Sequence, residues 1–143
     1  MARSILLTSQ DGHGGKNKSL LNMEFDELYW HDSVIKRVEI DRTNPGWHDI
    51  IVFEIDWYDS GMGKLLFEDV YWARFDMNFG VVADESIDDG FKSSDEDVDL
   101  VKFNEKWHGL INENLSCYII KTSSTGGEFK IIAKEFRVEM LLL

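Results

Sequence analysis

One stretch of the chain, Asp49–Tyr58 (DIIVFEIDWY), alternates apolar and polar side chains with little interruption. Successive side chains of a β-strand point to opposite faces, so an alternating run is typical of a strand with one buried face. The apolar positions of this run are Ile51, Phe53, Ile55 and Trp57. A strand of this kind must pair with neighbours and have its apolar face covered, so the chain has to build a sheet around a filled core.

Further runs predict the rest of that sheet. Apolar residues alternate in Val34–Arg42, and turn residues follow at Thr43–Gly46. Aromatic and β-branched side chains crowd Leu65–Phe79, which indicates a largely buried segment, either one strand or two strands broken near Glu68–Asp69. The other predicted strands are Ser4–Ser9, Leu115–Ser123 and Glu128–Met140, and the last two flank a hairpin turn at Ser124–Gly127.

Residues 94–108 change to a helical period, with Leu100, Phe103 and Trp107 on one stripe. Ser94 can cap this helix, and the acidic residues that follow it suit the positive end of the helix dipole. We therefore predict an α+β, β-rich fold with six to eight mostly antiparallel strands and one main helix at about 94–108. The 143 residues fit a single domain, 1–143, in which the glycine-rich polar stretch 10–19 is a flexible loop.

Electrostatics narrow the classes of partner. The net charge is −12, from 27 acidic and 15 basic residues. A surface of this sign repels nucleic acid and anionic membranes, and it favours encounter with a basic protein. Residues 84–99 hold eight acids and one base, so this segment alone carries −7. Solubility is one explanation of the segment, and a binding surface is the other.

The predicted binding residues follow from that segment and from one aromatic side chain. Trp47 lies in the Thr43–Gly46 turn region, where exposure and contact with a partner are expected. The complete set of candidate binding residues is Asp84, Glu85, Asp88, Asp89, Asp95, Glu96, Asp97 and Trp47.

Other classes of site lack their sequence signatures. Cys117 is the only cysteine, which excludes an intrachain disulfide and a thiolate zinc site. The four histidines form no HExxH or His-x-His spacing, and no Gly-x-Ser-x-Gly elbow is present. No signal peptide or membrane-spanning run is recognisable. We expect a cytoplasmic protein without a metal, a cofactor or catalytic residues.

The segment His31-Asp32-Ser33 has two interpretations. A histidine beside an aspartate can belong to an active site, but no third group in the sequence orients this pair for catalysis. Aspartate and serine side chains also bind local backbone groups where a chain enters a strand. We predict the second role, a structural latch made of His31, Asp32 and Ser33 at the start of the strand from Val34.

Several short motifs carry a family resemblance. They are LYWHDS (Leu28–Ser33), FEDV (Phe67–Val70), NFG (Asn78–Gly80) with ESI (Glu85–Ile87), and the strand pattern Phe129-x-Ile131-x-Ala133. Together, over roughly residues 28 to 138, they resemble small bacterial domains of unknown function. The His-Asp-Ser opening is similar to that of some immunity proteins of bacterial toxin systems. The resemblance implies a β-rich, cytoplasmic, bacterial protein and assigns no catalytic residue.

Two functional hypotheses follow. The first is a non-enzymatic, acidic protein-binding module, of which an immunity-type inhibitor of a basic toxin is one form. The second is an enzyme or small-ligand-binding protein that uses His31, Asp32 and a pocket of aromatic side chains. The first predicts a basic protein partner, the second a cleft beside His31, and a homodimer is compatible with either.

Overall fold

The structure, a computed structural model, describes residues 3–5, 19–108, 110–111 and 113–142. Two short 3₁₀ helices, Leu20–Asn22 and Phe25–Glu27, precede the main body of the sheet. The helix α1 spans Val98–Lys106. The seven strands are β1 (Arg3–Ile5), β2 (Val34–Asn44), β3 (His48–Trp57), β4 (Gly61–Asp76), β5 (Glu85–Lys92), β6 (Ser116–Thr122) and β7 (Glu128–Leu142).

The strands form one antiparallel sheet that closes on itself. Their order is β1-β7-β4-β3-β2-β5-β6, and β7 pairs with β6 as well as with β4. Strands β2 to β7 therefore form a six-stranded barrel, to which β1 is added at Met140–Leu142 of β7. The pairing between β2 and β5 is the weak point of the ring, because it consists of Val34 opposite Ser86 and Ile35 opposite Glu85 alone.

The barrel interior is filled by aromatic and branched side chains. Phe53, Phe67 and Phe129 are almost completely buried there, and their rings meet edge to face at centroid distances such as 5.1 Å between Phe53 and Phe129. Phe25 enters from the second 3₁₀ helix and packs 4.7 Å from the ring of Tyr118. Such ring pairs add to the stabilisation from burial, so the interior is a packed core and not a ligand cavity.

The helix lies on the outside of the barrel. Its buried residues Leu100 and Phe103 form a second, smaller cluster with Leu115, Cys117 and Ile132. Cys117 and Ile132 belong to β6 and β7, whose other face lines the barrel interior. The sheet is therefore covered on both sides where the helix packs, and β6 and β7 are buried on both faces.

The predicted fold class is confirmed by the described residues, which form a β-rich antiparallel sheet of seven strands and one α-helix. The helix begins at Val98 and not at the predicted Ser94, because the Asp97 side chain caps it by accepting hydrogen bonds from two first-turn N–H groups. The hydroxyl of Ser94 accepts from the N–H of Glu96 in the preceding turn. The helix ends at Lys106.

Two other predictions are adjusted by the structure. β4 is one strand, although the sequence also allowed two: Asp69 takes a φ of +52°, and the pairing with β7 shifts register between Val70 and Trp72, so the strand bends without ending. For the predicted loop 10–19, residues 10–18 lie outside the described residues. Ser19 is described, and its side chain caps the first 3₁₀ helix by accepting from the N–H of Leu21.

Candidate functional site

Ser33 holds the chain where it enters β2. Its side chain is fully buried; the hydroxyl donates to the carbonyl of Tyr29 and accepts from the N–H of Tyr58 at 2.9 Å. The Ser33 N–H donates to Trp30 at 3.1 Å, and the Ser33 carbonyl accepts from the Ile87 N–H at 2.7 Å. One residue therefore joins the segment before β2, the end of β3 and the start of β5.

The two residues before Ser33 have different surroundings. Asp32 takes a φ of +67°, and its N–H donates to the carbonyl of Ile87 at 3.1 Å. The His31 side chain is 76% exposed and lies 3.7 Å from an Asp32 carboxylate oxygen and 4.0 Å from one of Asp88. The neighbouring aromatic Trp30 is turned into the core, where it is 3% exposed. The geometry thus gives a surface histidine among carboxylates.

Substituting Ser33→Ala is expected to lower the free energy of unfolding by about 1–2 kcal/mol, because the Tyr58 N–H loses its partner in a partly buried place. His31→Ala is the matched control, and we expect it to change stability by less than about 0.5 kcal/mol because the imidazole is mostly solvated. Urea unfolding of the two variants checks this. Equal effects would contradict the assignment of the latch to Ser33.

Five predicted binding residues form an exposed group that we call the acidic run: Asp84, Asp88, Asp89, Asp95 and Glu96. Asp88 and Asp89 are neighbours in β5, yet both are exposed, because the pairing with β6 shifts register between Ile87 and Asp89. Within the described residues, Asp89, Asp95 and Glu96 form no ion pair, while Asp84 lies 3.9 Å from the Lys36 ammonium. Most of this negative charge is therefore available to a partner.

Asp97 has a different role from the acidic run. Its carboxylate lies 2.9 Å from the ammonium of Lys130, a residue of β7 that is 6% exposed, and Asp99 lies 2.6 Å from the same group. Burial raises the pKa of the Asp97 carboxyl, but hydrogen bonds from Lys130, Ser93 and the Leu100 N–H outweigh burial and lower the pKa to about 2. Asp97 stays ionised and anchors the helix to the barrel.

Cys117 lies beside this ion cluster and is fully buried. Burial is the main reason that the pKa of its thiol rises to about 12, with Asp97 adding to the rise. A thiol with this pKa is protonated at neutral pH and inert as a nucleophile. The thiol therefore packs as a small apolar side chain beneath the helix.

Trp47 is exposed, as its place in the turn predicts. It is 81% accessible at the tip of the hairpin between β2 and β3. The tip is ordered by the Asp49 carboxylate, which accepts from the Gly46 N–H at 2.9 Å and from the Arg42 guanidinium at 2.9 Å. The Trp47 N–H donates to the carbonyl of Asn44 at 3.1 Å. A fixed turn therefore presents the indole to solvent.

A mostly apolar groove opens where β2 and β5 separate, and sequence reasoning missed it. It has a volume of 540 Å³ and is lined by Ile35, Lys36, Arg37, Val38, Ile40, Phe75, Met77, Phe79 and Glu85. We call it the seam groove. Ile40 and Phe79, which the sequence predicted to be buried, are 57% and 83% exposed. The chain leaves the sheet after Asp76, so Phe79 belongs to no strand of the described residues and lies at the surface of the groove.

The segment after Phe79 continues this apolar surface towards the acidic run. Val81 and Val82 are 51% and 104% exposed, and Asp84 follows two residues later. Single exposed apolar residues are common, but several beside one groove mark an interaction surface. The apolar groove and the first carboxylates of the acidic run are thus adjacent in the chain and, through Glu85, in space.

A second cavity, of 590 Å³, lies at the opposite side of β5 and has a polar lining that includes Asp26, Lys92, Lys134 and Glu135 over Tyr118. The pKa of the Tyr118 phenol is raised, chiefly by burial, against a hydrogen bond with Ser116 that lowers it. These groups can hydrogen-bond a small polar molecule. The cavity is lined by groups of both charges, and neither His31 nor the acidic run contributes to it.

The described part of the chain was also searched for metal-ligand groups and for membrane-spanning helices. No group of three or more histidine, cysteine, aspartate or glutamate side chains there could hold a metal ion. None of the described helices is long and apolar enough to span a membrane.

Comparison of the chain with family models, curated proteins and solved structures found no match. The resemblance to immunity proteins therefore stays a prediction from short motifs. The features of the molecule that bear on its function are the acidic run, Trp47, the seam groove and the surroundings of His31.

Proposed function

We propose that this chain is a non-enzymatic module that binds a basic protein, and that an immunity-type inhibitor of a basic toxin is the form most consistent with its motifs. The observation that carries the proposal is the acidic run, whose five carboxylates are exposed on β5 and the turns beside it. Three of them, Asp89, Asp95 and Glu96, have no cationic partner among the described residues.

The distribution of charge supports binding beyond simple solubility. Asp97 and Asp99 are compensated by Lys130 and Arg74, so the fold neutralises two acids of the segment and leaves the acidic run facing solvent. Opposite charge on a partner accelerates encounter and fixes orientation, whereas apolar contacts supply much of the lasting affinity. The exposed Trp47 and the seam groove provide apolar contacts of that kind.

The enzymatic alternative has weaker geometric support. His31 projects into solvent, and the tryptophan next to it is a core residue that donates its Nε1–H to the Phe25 carbonyl at 2.8 Å. General acid–base catalysis needs a positioned group beside a substrate site that excludes water. Among the described residues, His31 has a mostly solvated imidazole with two carboxylates at 3.7 and 4.0 Å, and so the binding module is preferred.

The test is affinity capture from a lysate of the protein's own cells, at low and high salt, with bound proteins identified by mass spectrometry. The variant Asp88→Asn, Asp89→Asn, Asp95→Asn and Glu96→Gln removes four charges from the acidic run. We expect a basic protein to bind the wild type and to bind this variant about tenfold more weakly at low salt, because attraction and orientation are lost.

The matched control removes four exposed charges elsewhere, through Asp56→Asn, Asp76→Asn, Glu105→Gln and Glu135→Gln, and it should bind nearly as the wild type does. The purified partner is then titrated by calorimetry against all three proteins. If both variants lose the same affinity, the acidic run contributes only through the net charge of the protein and is not a specific binding surface. Capture of no basic protein would overturn the proposed function.

A further inference from the structure

β2 has a free edge along most of its length. On one side it pairs with β3 from Val34 to Asn44, but on the other side it pairs with β5 only at Val34 and Ile35. Within the described residues, no other strand pairs with this edge from Lys36 onwards. A strand directs backbone N–H and C=O groups to both of its edges, so the free edge offers a row of donors and acceptors.

The side chains of this free edge differ between its two faces. Val38 and Ile40 lie on the face that lines the seam groove, where Phe75 and Phe79 provide the opposite wall. Glu39 and Asp41 have the other parity and are exposed on the outer face. Lys36 and Arg37 line the end of the groove next to Ile35. Beyond these two cations, a strand laid along this edge would meet apolar side chains on one face and the carboxylates of Glu39 and Asp41 on the other.

We propose that the edge of β2 receives an extended segment of the partner protein as an added strand. Every second residue of that segment is apolar and enters the seam groove, and the residues between them are lysine or arginine and lie opposite Glu39 and Asp41. Main-chain hydrogen bonds supply affinity in such a complex, and the alternating side chains supply specificity. The inference rests on the proposed function, because it names the form in which the basic partner is bound.

A second copy of this chain suits the edge less well than a basic segment. Two copies would each carry −12, so their overall charges repel. The edge also begins with a bulge at Lys36, between the pairs of Ile35 and Arg37. Lysines and bulges on edge strands are features that oppose unspecific pairing between sheets. A basic segment is not repelled by the negative charge of this chain, so it can pair with the edge more readily than a second copy can.

The probe is an acetylated and amidated eight-residue peptide of alternating lysine and valine. Calorimetry measures its binding to the full chain, and amide hydrogen exchange measures protection in β2. We expect slower exchange of amides between Arg37 and Asp41. Binding should fall about tenfold or more for Ile40→Asp, which places a charge in the apolar groove. Tyr58→Asp, at a side chain 55% exposed outside the groove, should leave binding unchanged.

A second peptide separates strand addition from charge attraction. It has the same sequence with every second backbone nitrogen methylated, so it keeps its charge and loses donors along one edge. Its binding should be at least about tenfold weaker if the backbone pairs. Equal binding of the two peptides, no added protection in β2, no binding at all, or a dimer of the free chain by ultracentrifugation would overturn strand addition. The capture experiment with the acidic-run variant would still decide the proposed function independently.

Discussion

Replacing Lys130 with methionine is expected to lower the free energy of unfolding by about 3–5 kcal/mol, because the change leaves the largely buried Asp97 carboxylate without its cation. The Lys130 ammonium lies 2.9 Å from Asp97 and 2.6 Å from Asp99, and its side chain is 7% exposed. Arg74 remains 3.3 Å from Asp99 in the variant, but Asp97 has no second cation among the described residues. The start of the helix therefore loses its attachment to β7.

The control for this prediction is four residues along the same strand. Lys134 is 46% exposed and pairs with Glu113 at 3.6 Å, so Lys134→Met should cost less than about 1 kcal/mol. Urea unfolding of both variants at pH 7 gives the comparison. A loss for Lys130→Met no larger than the loss for Lys134→Met would show that the ion cluster does not anchor the helix.

The difference in the free energy of unfolding between the wild type and Lys130→Met should also depend on pH. The folded-state pKa of Asp97 is near 2, below its ordinary value of 3.8, so ionised Asp97 stabilises the fold above pH 3.8. This stabilisation is lost as the pH falls through 3.8 towards 2. The difference in stability between the wild type and Lys130→Met should therefore be complete at neutral pH and shrink over that acidic range.

Local pattern was sufficient to predict the strands that place an apolar side chain at every second position of one face. Ile51, Phe53, Ile55 and Trp57 are all buried, as the alternation in β3 indicates. Such a strand needs only one regular face towards the core, and that face can be recognised from neighbouring residues in the sequence. The helix was recognised in the same way, but its first residue depended on which of several neighbouring side chains reached the first-turn N–H groups.

β5 was not predicted, because its pattern becomes regular only when its bulge is known. Ile87 and Gly90 both face inwards although they are three residues apart, and the shift in register between Ile87 and Asp89 accounts for this spacing. The acidic residues between them are unfavourable in strands, so composition gave no indication of a strand here. Pairing with β6, a strand nearly thirty residues further along the chain, makes this segment a strand.

The seam groove could not be predicted from the sequence either, because it depends on contacts between distant parts of the chain. Ile40 and Phe79 are apolar residues in apolar runs, and nothing in those runs indicates that their positions are exposed. The exposure of Ile40 follows from strand order, because β5 pairs with only the first two residues of β2, and Phe79 lies beyond the end of β4. Trp47, in contrast, was correctly predicted to be exposed, since a hairpin turn is at the surface whatever the order of the strands. Its contact with a partner stays a prediction.

Replacing Gly90 with alanine is the second change with a large expected effect, a loss of about 3 kcal/mol in the free energy of unfolding, at the upper end for overpacking. A Cβ at this position would lie 2.4 Å from two ring atoms of Trp30. The indole cannot withdraw easily, because it is 3% exposed and packs at centroid distances of 4.8 Å from Phe25 and 5.4 Å from Trp57. The strand β5 must therefore move outwards.

A double-mutant cycle separates the effect of this contact from any general cost of placing alanine in β5. In a Trp30→Leu background the clashing ring atoms are absent, so Gly90→Ala should cost at least about 1 kcal/mol less than in the wild type. The same cost in both backgrounds would show that Trp30 is not what requires glycine. Gly90 directly follows Asp88 and Asp89, so the contact with Trp30 also fixes how far these carboxylates stand from the barrel. The placement of Asp88 and Asp89 thus depends on a glycine that lets β5 approach a buried indole.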